Sequence, residues 1–228
     1  MDALVNELMK ELNCDTVFTI PVLGGIPVKE SVVVTWIIMA VILVLCIALT
    51  RNLSVENPGR GQIILETIVS GGHNFFKDTL GEHGAEYIPY LMTVTLYIGI
   101  ANLIGLLGFK PPTKDMNVTA ALAFMSIVLI EVAGIRQKGA KGWVKSFAEP
   151  IPIILPINIM EIFIKPLSLC MRLFGNVLGS FVIMELLKLI FPAVLPAVFS
   201  CYFDIFDGLI QAYVFVFLTS LFIKEATE

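Results

Sequence analysis

The feature that most constrains this sequence is the run from Ser31 to Thr50, which contains no charged side chain. A helix of about twenty apolar residues spans the roughly 30 Å hydrocarbon core of a bilayer. Trp36 near one end is typical of an interfacial anchor, and Arg51 ends the run at the other. We therefore predict a first transmembrane helix over 31–50.

Further apolar blocks predict additional spans at 87–109 and 116–135 and two longer helices at 151–190 and 195–223. Hydrophobic residues make up 57% of the 228 residues and charged residues only 15%, whereas a soluble domain carries about a quarter charged residues. The sequence thus predicts an all-α polytopic membrane protein, with one helical membrane domain over 31–228. The net charge of −4 gives no support for nucleic-acid binding.

Residues 1–30 are acidic and are interrupted by Pro21, Gly24, Gly25 and Pro27. We interpret them as a segment outside the membrane with little fold of its own. They lack the apolar core of a cleavable signal peptide, so the first hydrophobic helix is expected to direct insertion.

Residues 61–80 have a different pattern, with apolar residues at helical spacing and polar residues on the other faces. This pattern predicts an amphipathic helix that lies in the membrane interface. The alternative is an ordinary surface helix of a soluble domain.

Basic residues set the predicted orientation of the chain. The stretch from Arg136 to Lys145 contains four basic residues and no acidic one, so the positive-inside rule makes the predicted loop 136–150 cytoplasmic. Counting spans from there puts the proline-containing turn at 110–115 outside. The N-terminus is then outside, and the C-terminus is cytoplasmic.

The stretch 151–190 is unusually long for one span. A helix from Ile157 to Ile190 would be about 50 Å long, whereas an upright helix needs only about 30 Å. We therefore predict that 151–190 and 195–223 form a strongly tilted helical hairpin, unless Pro166 breaks the first helix in two.

Arg172 lies deep inside this apolar stretch. Insertion scales put the cost of arginine at the centre of the membrane at roughly 2.5–3.5 kcal/mol, and its guanidinium stays protonated in proteins. A permanent cation at that depth needs a carboxylate or water-filled space beside it. Arg172 is therefore the first candidate functional residue.

Helical geometry groups other residues around Arg172. Asn176 lies about 40° away and Gly179 about 20° away on the other side, with Gly175 close by. Small residues let another helix approach closely. Glu185 is displaced by about 220°, so the two sides of this helix differ electrostatically, as a helix between two separate water channels requires.

The last helix carries Asp204, Asp207 and Gln211 within about 60° of one another. Paired carboxylates near a surface form either a solvated face or an ion pathway, and the glutamine on the same stripe favours the pathway. Glu131 either snorkels to the surface or lines such a path. Most of the buried polar groups at Thr93, Thr95, Asn102, Thr119 and Ser126 are predicted to hold helices together. The histidines and cysteines have no metal-ligand spacing.

Four segments resemble one protein family. The sequence MRLFGN at 171–176, preceded by KPLSL at 165–169, is similar to the signature of subunit a of the F-type ATP synthase. Segments 102–106 (NLIGL), 112–123 (PTKDMNVTAALA) and 208–215 (GLIQAYVF) resemble other parts of that subunit in the same order. The resemblance covers nearly all of the chain from residue 30 onward.

The resemblance implies a role for individual residues. Arg172 matches the essential stator arginine, which attracts the ionised carboxylate of each passing c subunit and prevents direct leakage between half-channels. Asn176 and Gln211 match its polar neighbours. Asp204 falls where relatives carry a histidine or carboxylate that lines the outer access channel, and we add Asp207 as a second candidate there.

One position departs from the family pattern. Nine residues after the arginine, relatives commonly carry a glutamate or histidine that pairs with the position of Asp204, but this chain carries Phe181. Glu185 lies one turn further on, about 40° round on the same side. The resemblance therefore leaves open whether Glu185 replaces the missing carboxylate.

The resemblance also implies a setting and partners. It implies a non-catalytic, multi-pass subunit of a bacterial-type plasma membrane that couples the flow of protons or sodium ions, through two aqueous half-channels, to ATP synthesis. The implied partners are the c-ring proteolipids, the b subunits of the peripheral stalk and the bilayer, with no cofactor and no metal.

The residues taken alone leave two alternatives. One is a self-contained secondary transporter or channel with Arg172 as an anion-substrate site, although the halves show no internal repeat. The other is a structural scaffold, which does not account for the charged and polar residues of the last two helices.

Overall fold

The computed structural model describes residues 16–21, 26–51, 53–54, 59–107, 109–147, 152–190 and 199–227. Within these ranges the chain forms six α-helices and one small sheet. In chain order the helices are α1 (Glu30–Thr50), α2 (Arg60–Leu80), α3 (Ile88–Leu103), α4 (Met116–Ser146), α5 (Leu155–Ile190) and α6 (Gly208–Thr227). All but α2 belong to segments long and apolar enough to cross a membrane. The predicted helical membrane fold is confirmed.

A β-hairpin precedes the first helix. Strands β1 (Thr16–Ile20) and β2 (Ile26–Lys29) pair antiparallel, so the prediction of little fold in 1–30 is wrong for this part. Residues 1–15 and 22–25 lie outside the described residues. β1 consists of β-branched and aromatic residues, which favour strands; the interpretation followed the acidic residues and overlooked this composition.

Helix α1 contacts the rest of the protein mainly through its first half. Ser31 Oγ donates to Asp115 Oδ2 at 2.7 Å, and the hydroxyls of Thr35 and Tyr97 lie 3.1 Å apart. Ile38 is fully buried, whereas most side chains from Met39 to Thr50 are exposed. The second half of α1 therefore extends away from the described bundle.

Helix α2 packs against the bundle mainly through its second half. Phe76 and Leu80 are buried, and the Phe75 ring lies 5.8 Å from the ring of Tyr213 on α6. Ile64 and Ile68 on the first half are exposed. The predicted helix over 61–80 is confirmed, and its location in the membrane interface stays a prediction.

The turn between α3 and α4 is built by prolines, as the sequence predicts. Helix α3 continues as a 3₁₀ turn over Ile104–Leu107, and a second 3₁₀ turn covers Pro112–Lys114. Asp115 caps α4 by accepting a hydrogen bond from the backbone N–H of Asn117 at 3.0 Å. The spans predicted at 87–109 and 116–135 are therefore separate helices.

Helix α4 is longer than predicted. The residues from 136 to Ser146, predicted as the first part of a loop, are helical apart from a break at Gly139. Gly139 has φ 73° and ψ 158°, a conformation open essentially to glycine alone. Lysine, arginine, glutamine and alanine are good helix formers, so the basic composition that suggested a loop is compatible with a helix.

Helix α5 runs unbroken through Pro166 for 36 residues, which corresponds to about 54 Å. The alternative of two helices divided at Pro166 is therefore wrong. Since 54 Å exceeds the roughly 30 Å hydrocarbon core, a strong tilt of α5 stays our prediction. The corner at 191–198 lies outside the described residues, and a π-helical turn over Cys201–Asp207 leads into α6.

Candidate functional site

The two sides of α5 have different surroundings. One side packs into the bundle core through Leu169, Leu173 and Val177. The other side, which we name the open face, consists of five exposed residues: Ser168, Met171, Arg172, Gly175 and Asn176. The predicted grouping of Arg172, Asn176 and Gly175 on one face is confirmed.

Arg172 points away from the rest of the described chain. Its side chain is exposed, and among the described residues it has no hydrogen bond or ion pair. A Cβ added at Gly175 or at Gly179 would meet no atom within 4 Å. The open face therefore presents a cation beside a surface without bulk.

A cavity of about 540 Å³ lies on another side of α5. We name it the carboxylate cavity, since it brings together three of the predicted site residues, Glu185, Asp204 and Asp207. Its walls come from the end of α3, the turn after it, α5 and the π-helical turn. The other polar residues and the glycines of these walls are Asn102, Gly105, Lys110, Ser180, Lys188, Ser200 and Gly208.

Each acid of the carboxylate cavity accepts a hydrogen bond. Ser200 Oγ donates to Asp204 Oδ2, and Ser180 Oγ donates to Asp207 Oδ2 at 3.2 Å. Glu185 Oε1 lies 2.7 Å from Lys188 Nζ. Two acids thus have neutral hydroxyl donors, and the third has a cation.

Gln211 does not line the carboxylate cavity. It is buried on α6 with 8% of its surface exposed, whereas Asp204 and Asp207 both reach the cavity. The expectation that all three share one face assumed a regular α-helix. A π-helical turn accommodates extra residues, so angles counted across 201–207 no longer follow the α-helical period.

Phe181 lies in the same cavity wall as Glu185. The Lys114 ammonium stands 4.3 Å from the centre of the Phe181 ring, in cation–π contact. Phe181, at the position of the missing family carboxylate, therefore forms an apolar part of the cavity wall. Glu185 supplies a carboxylate to the same cavity one turn further along.

Sequence reasoning missed several residues that position these acids. Ser180 and Gly105 contact Asp207 and Asp204 from other elements, and Ser200 contacts Asp204 from four residues earlier in the chain. Nothing in the local sequence of Ser180 or Gly105 marks them. Asn102 was predicted only to hold helices together, and it does so by donating to the Gly208 carbonyl at 2.9 Å. Among these positioning residues, Asn102 alone was detectable in the sequence, because it is an amide within an apolar span.

The other predicted helix-packing residues divide into two groups. Ser126 bonds Tyr90 across helices at 3.2 Å, and Thr119 contacts Cys170 Sγ at 3.6 Å. Thr93 and Thr95 instead donate to carbonyls of their own helix, so the prediction is wrong for them.

A second, smaller polar cavity of about 200 Å³ lies where α4, α5 and α6 come together. We name it the lysine cavity. Lys165 Nζ stands there 3.3 Å from Glu161 and 3.1 Å from Glu225. Glu131 lines it and accepts a hydrogen bond from Trp143 Nε1 at 2.9 Å. The break in helix α4 at Gly139 brings the Trp143 side chain back toward Glu131.

Neither cavity offers a metal centre. Among the described residues, no group of three or more His, Cys, Asp or Glu side chains is placed to hold a metal ion. The acids bond to serines and lysines of the chain itself. The arrangement is chemically suited to gaining and losing protons, or to passing hydrated cations, between aqueous space and the bundle.

The chain is similar to known proteins over most of its length. A family model described as ATP synthase A chain matches residues 32–224. ATP synthase subunit a of Moorella thermoacetica is 37% identical over 204 residues, which cover 89% of this chain and 93% of that protein. Subunit a 2 of Acaryochloris marina is 31% identical over 207 residues, covering 90% and 88%. A sodium ion specific subunit a from Propionigenium modestum is 32% identical over 216 residues, covering 88% and 74%.

Proposed function

This chain belongs to the ATP synthase A chain family, and we propose that it is the membrane stator subunit of a rotary F-type ATP synthase. In this role it translocates ions without catalysing a reaction itself. Its partners are a ring of c-subunit proteolipids and the b subunits of a peripheral stalk. The coupled flow of protons or sodium ions drives ATP formation elsewhere in the complex.

One observation carries the proposal: Arg172 is exposed on the open face and has no partner among the described residues. A charge at membrane depth is costly unless it is paired or hydrated. A moving proteolipid that presents a carboxylate to the open face supplies that partner. Gly175 and Gly179, which leave the space beside them empty, let a neighbouring helix come close.

The arginine acts by changing which state of the rotor carboxylate is acceptable. In lipid that carboxylate must be neutral, by protonation or by a bound cation, because an isolated charge is costly there. Opposite Arg172 the ionised form is stabilised, so the site releases its ion. Asn176 on the same face and Gln211 on α6 are its proposed polar neighbours. Each charge that moves across 100 mV contributes about 2.3 kcal/mol, so several ions are needed per ATP.

The two cavities are the proposed half-channels. The carboxylate cavity includes Lys110 and Pro111 of the turn that the positive-inside rule puts outside. The lysine cavity includes Lys138 and Ser146 from the basic end of α4, which the same rule makes cytoplasmic. Ions enter through Asp204, Asp207 and Glu185, with Glu185 acting in place of the acid absent at Phe181. The N-terminus is then outside, and the C-terminus is cytoplasmic.

The deciding experiment replaces the unpartnered cation. In the assembled complex in its native membrane, Arg172→Ala should abolish ATP synthesis driven by an ion gradient, while the amount of assembled complex stays near wild type. Arg136→Ala is the matched control, since Arg136 is also exposed but lies beyond the apolar part of α4, 3.9 Å from Glu86. We expect wild-type synthesis from the control. Normal synthesis by the Arg172→Ala complex would overturn the proposal.

Purification tests the proposed partner independently. Extraction in mild detergent should recover this chain together with a small hairpin-forming proteolipid that carries a carboxylate at mid-membrane depth. Ion transport by the purified chain alone in liposomes would instead favour a self-contained transporter.

A further inference from the structure

The end of α3 is fitted against the π-helical turn that carries Asp204 and Asp207. Asn102 Nδ2 donates to the Gly208 carbonyl at 2.9 Å, at the junction between the π-helical turn and α6. Thr113 Oγ1 in turn donates to Asn102 Oδ1 at 2.8 Å. Both polar atoms of a buried amide are therefore used to fix where α6 begins.

One turn later, Gly105 lies directly against the Asp204 carboxylate. A Cβ added at Gly105 would stand 2.8 Å from Asp204 Oδ1 and 3.1 Å from Cγ. Ordinary Cβ atoms do not come this close to other heavy atoms, so a Cβ at position 105 and the Asp204 carboxylate cannot both occupy this space. Gly105 has no left-handed φ, so its backbone alone does not require glycine.

The contact differs from ordinary helix packing on the same element. A Cβ added at Gly99 of α3 would meet its nearest neighbour, a methyl carbon of Leu209, at 4.0 Å. That separation is normal van der Waals contact. Gly99 is buried, yet only Gly105 borders a charged group of the carboxylate cavity.

We propose that Gly105 and Asn102 are positioning residues for the ion path, and that position 105 is kept without a side chain so that the Asp204 carboxylate can occupy that space. Asn102 fixes the junction after Asp207, and Gly105 leaves the carboxylate free to stay on Ser200. The inference rests on the proposed function, since it assumes that Asp204 passes ions. It adds that the carboxylate acts from one location, which α3 defines.

The experiment measures passive uptake of the coupling ion, protons or sodium ions, through the membrane sector after the catalytic sector has been removed. The variants are Gly105→Ala, Asp204→Ala and the two combined, with Gly99→Ala as the matched control. We expect Gly105→Ala to lower uptake about fivefold or more and Gly99→Ala to lower it less than twofold. In the Asp204→Ala background, Gly105→Ala should cause no further loss, because coupled positions are not additive.

A gain of function provides the second measurement. Gly105→Asp combined with Asp204→Ala returns a carboxylate to the same space from the opposite helix. Uptake should exceed that of Asp204→Ala alone by several-fold. Failure of this recovery would contradict the claim that one location matters.

The outcomes separate this inference from the proposed function. Equal losses from Gly105→Ala in both backgrounds, or none in either, would overturn the positioning role while leaving Arg172 and the half-channels untouched. Wild-type uptake by Asp204→Ala would show that Asp204 is not part of the ion path, and it would overturn this inference as well. Normal synthesis by Arg172→Ala would overturn the stator function itself.

Discussion

The charged groups on the two sides of α5 differ in whether the chain itself provides them with partners. On the open face, Arg172 has no partner among the described residues. In the carboxylate cavity, every acid accepts a hydrogen bond from a serine or a lysine of the same chain. A satisfied acid needs nothing from outside, whereas an unpaired cation at membrane depth is stable only if something outside the described residues faces it. This difference supports our proposal that another molecule completes the open face, whereas the chain itself provides the partners of the acids in the cavity.

The strongest test of this difference is to block the open face with a larger side chain. Gly175→Leu should leave the chain folded, because a Cβ there meets no atom within 4 Å, but it should keep a partner away from Arg172. We expect ATP synthesis in the assembled complex to fall about 100-fold, which corresponds to roughly 2.7 kcal/mol. Gly71→Leu on α2 is the control, since Gly71 also has no atom within 4 Å of an added Cβ. Normal synthesis with Gly175→Leu would mean that the open face meets no partner.

A smaller effect is expected from the cavity side. Asp207→Asn removes a charge but keeps a group that can accept from Ser180 Oγ, now 3.2 Å from Asp207 Oδ2. Passive uptake of the coupling ion through the membrane sector should fall about tenfold, or about 1.4 kcal/mol, since Asp204 and Glu185 remain. Asp78→Asn on the exposed part of α2 should change nothing. Equal uptake by both variants would remove Asp207 from the ion path.

A weaker effect distinguishes the two sides directly. Glu185→Gln should slow ion access from the outside several-fold if, as we propose, Glu185 supplies the acid that is absent at Phe181 in the same cavity. Asn176→Ala on the open face carries no charge change and should slow access less. Lys188→Gln tests whether the 2.7 Å ion pair itself matters, and as a partly exposed pair it should contribute little. Unchanged coupled rates with Glu185→Gln would refute the substituted-carboxylate hypothesis.

The sequence predicted this arrangement wherever the chain is a regular helix. The lengths of apolar runs fixed five spans, since bilayer thickness sets helix length. Arg172 and Glu185 fall on different sides of α5 because the helix is regular from one residue to the other. Angles counted at 100° per residue are reliable only where the α-helix is regular.

The remaining errors arise where the backbone departs from regularity or where contacts are distant in sequence. The π-helical turn at 201–207 changes the angle between Asp204 and Gln211 from its α-helical value, and α4 continues beyond its predicted end in spite of the break at Gly139. Gly105 and Ser180 act on acids carried by other elements. No local pattern encodes which helix end lies beside which carboxylate, so these residues could be found only in three dimensions.

The anchor of the turn that forms one wall of the carboxylate cavity gives the smallest expected effect on function. Asp115 is buried, accepts hydrogen bonds from Ser31 Oγ at 2.7 Å and from Asn117, and lies 3.6 Å from Lys29 Nζ. Burial acts to raise the pKa of Asp115, but these hydrogen bonds and the Lys29 charge together hold it below its usual value of 3.8. Asp115→Asn should lower the free energy of unfolding by about 1–3 kcal/mol with little loss of ion uptake.

The pH dependence of that loss tests its electrostatic origin. Because the folded-state pKa is lowered, the stabilisation is fully present above the unfolded-state value near 3.8 and is lost as the pH falls through the folded-state value. The difference in melting temperature between wild type and Asp115→Asn should therefore stay constant from about pH 7 to pH 5 and close below pH 3.8. Tryptophan fluorescence can follow it, since Trp36 lies on α1, the helix that Asp115 holds through Ser31. Glu86→Gln, on a largely exposed side chain, is the control. A difference that persists unchanged below pH 3 would mean that shape, and not charge, anchors the turn.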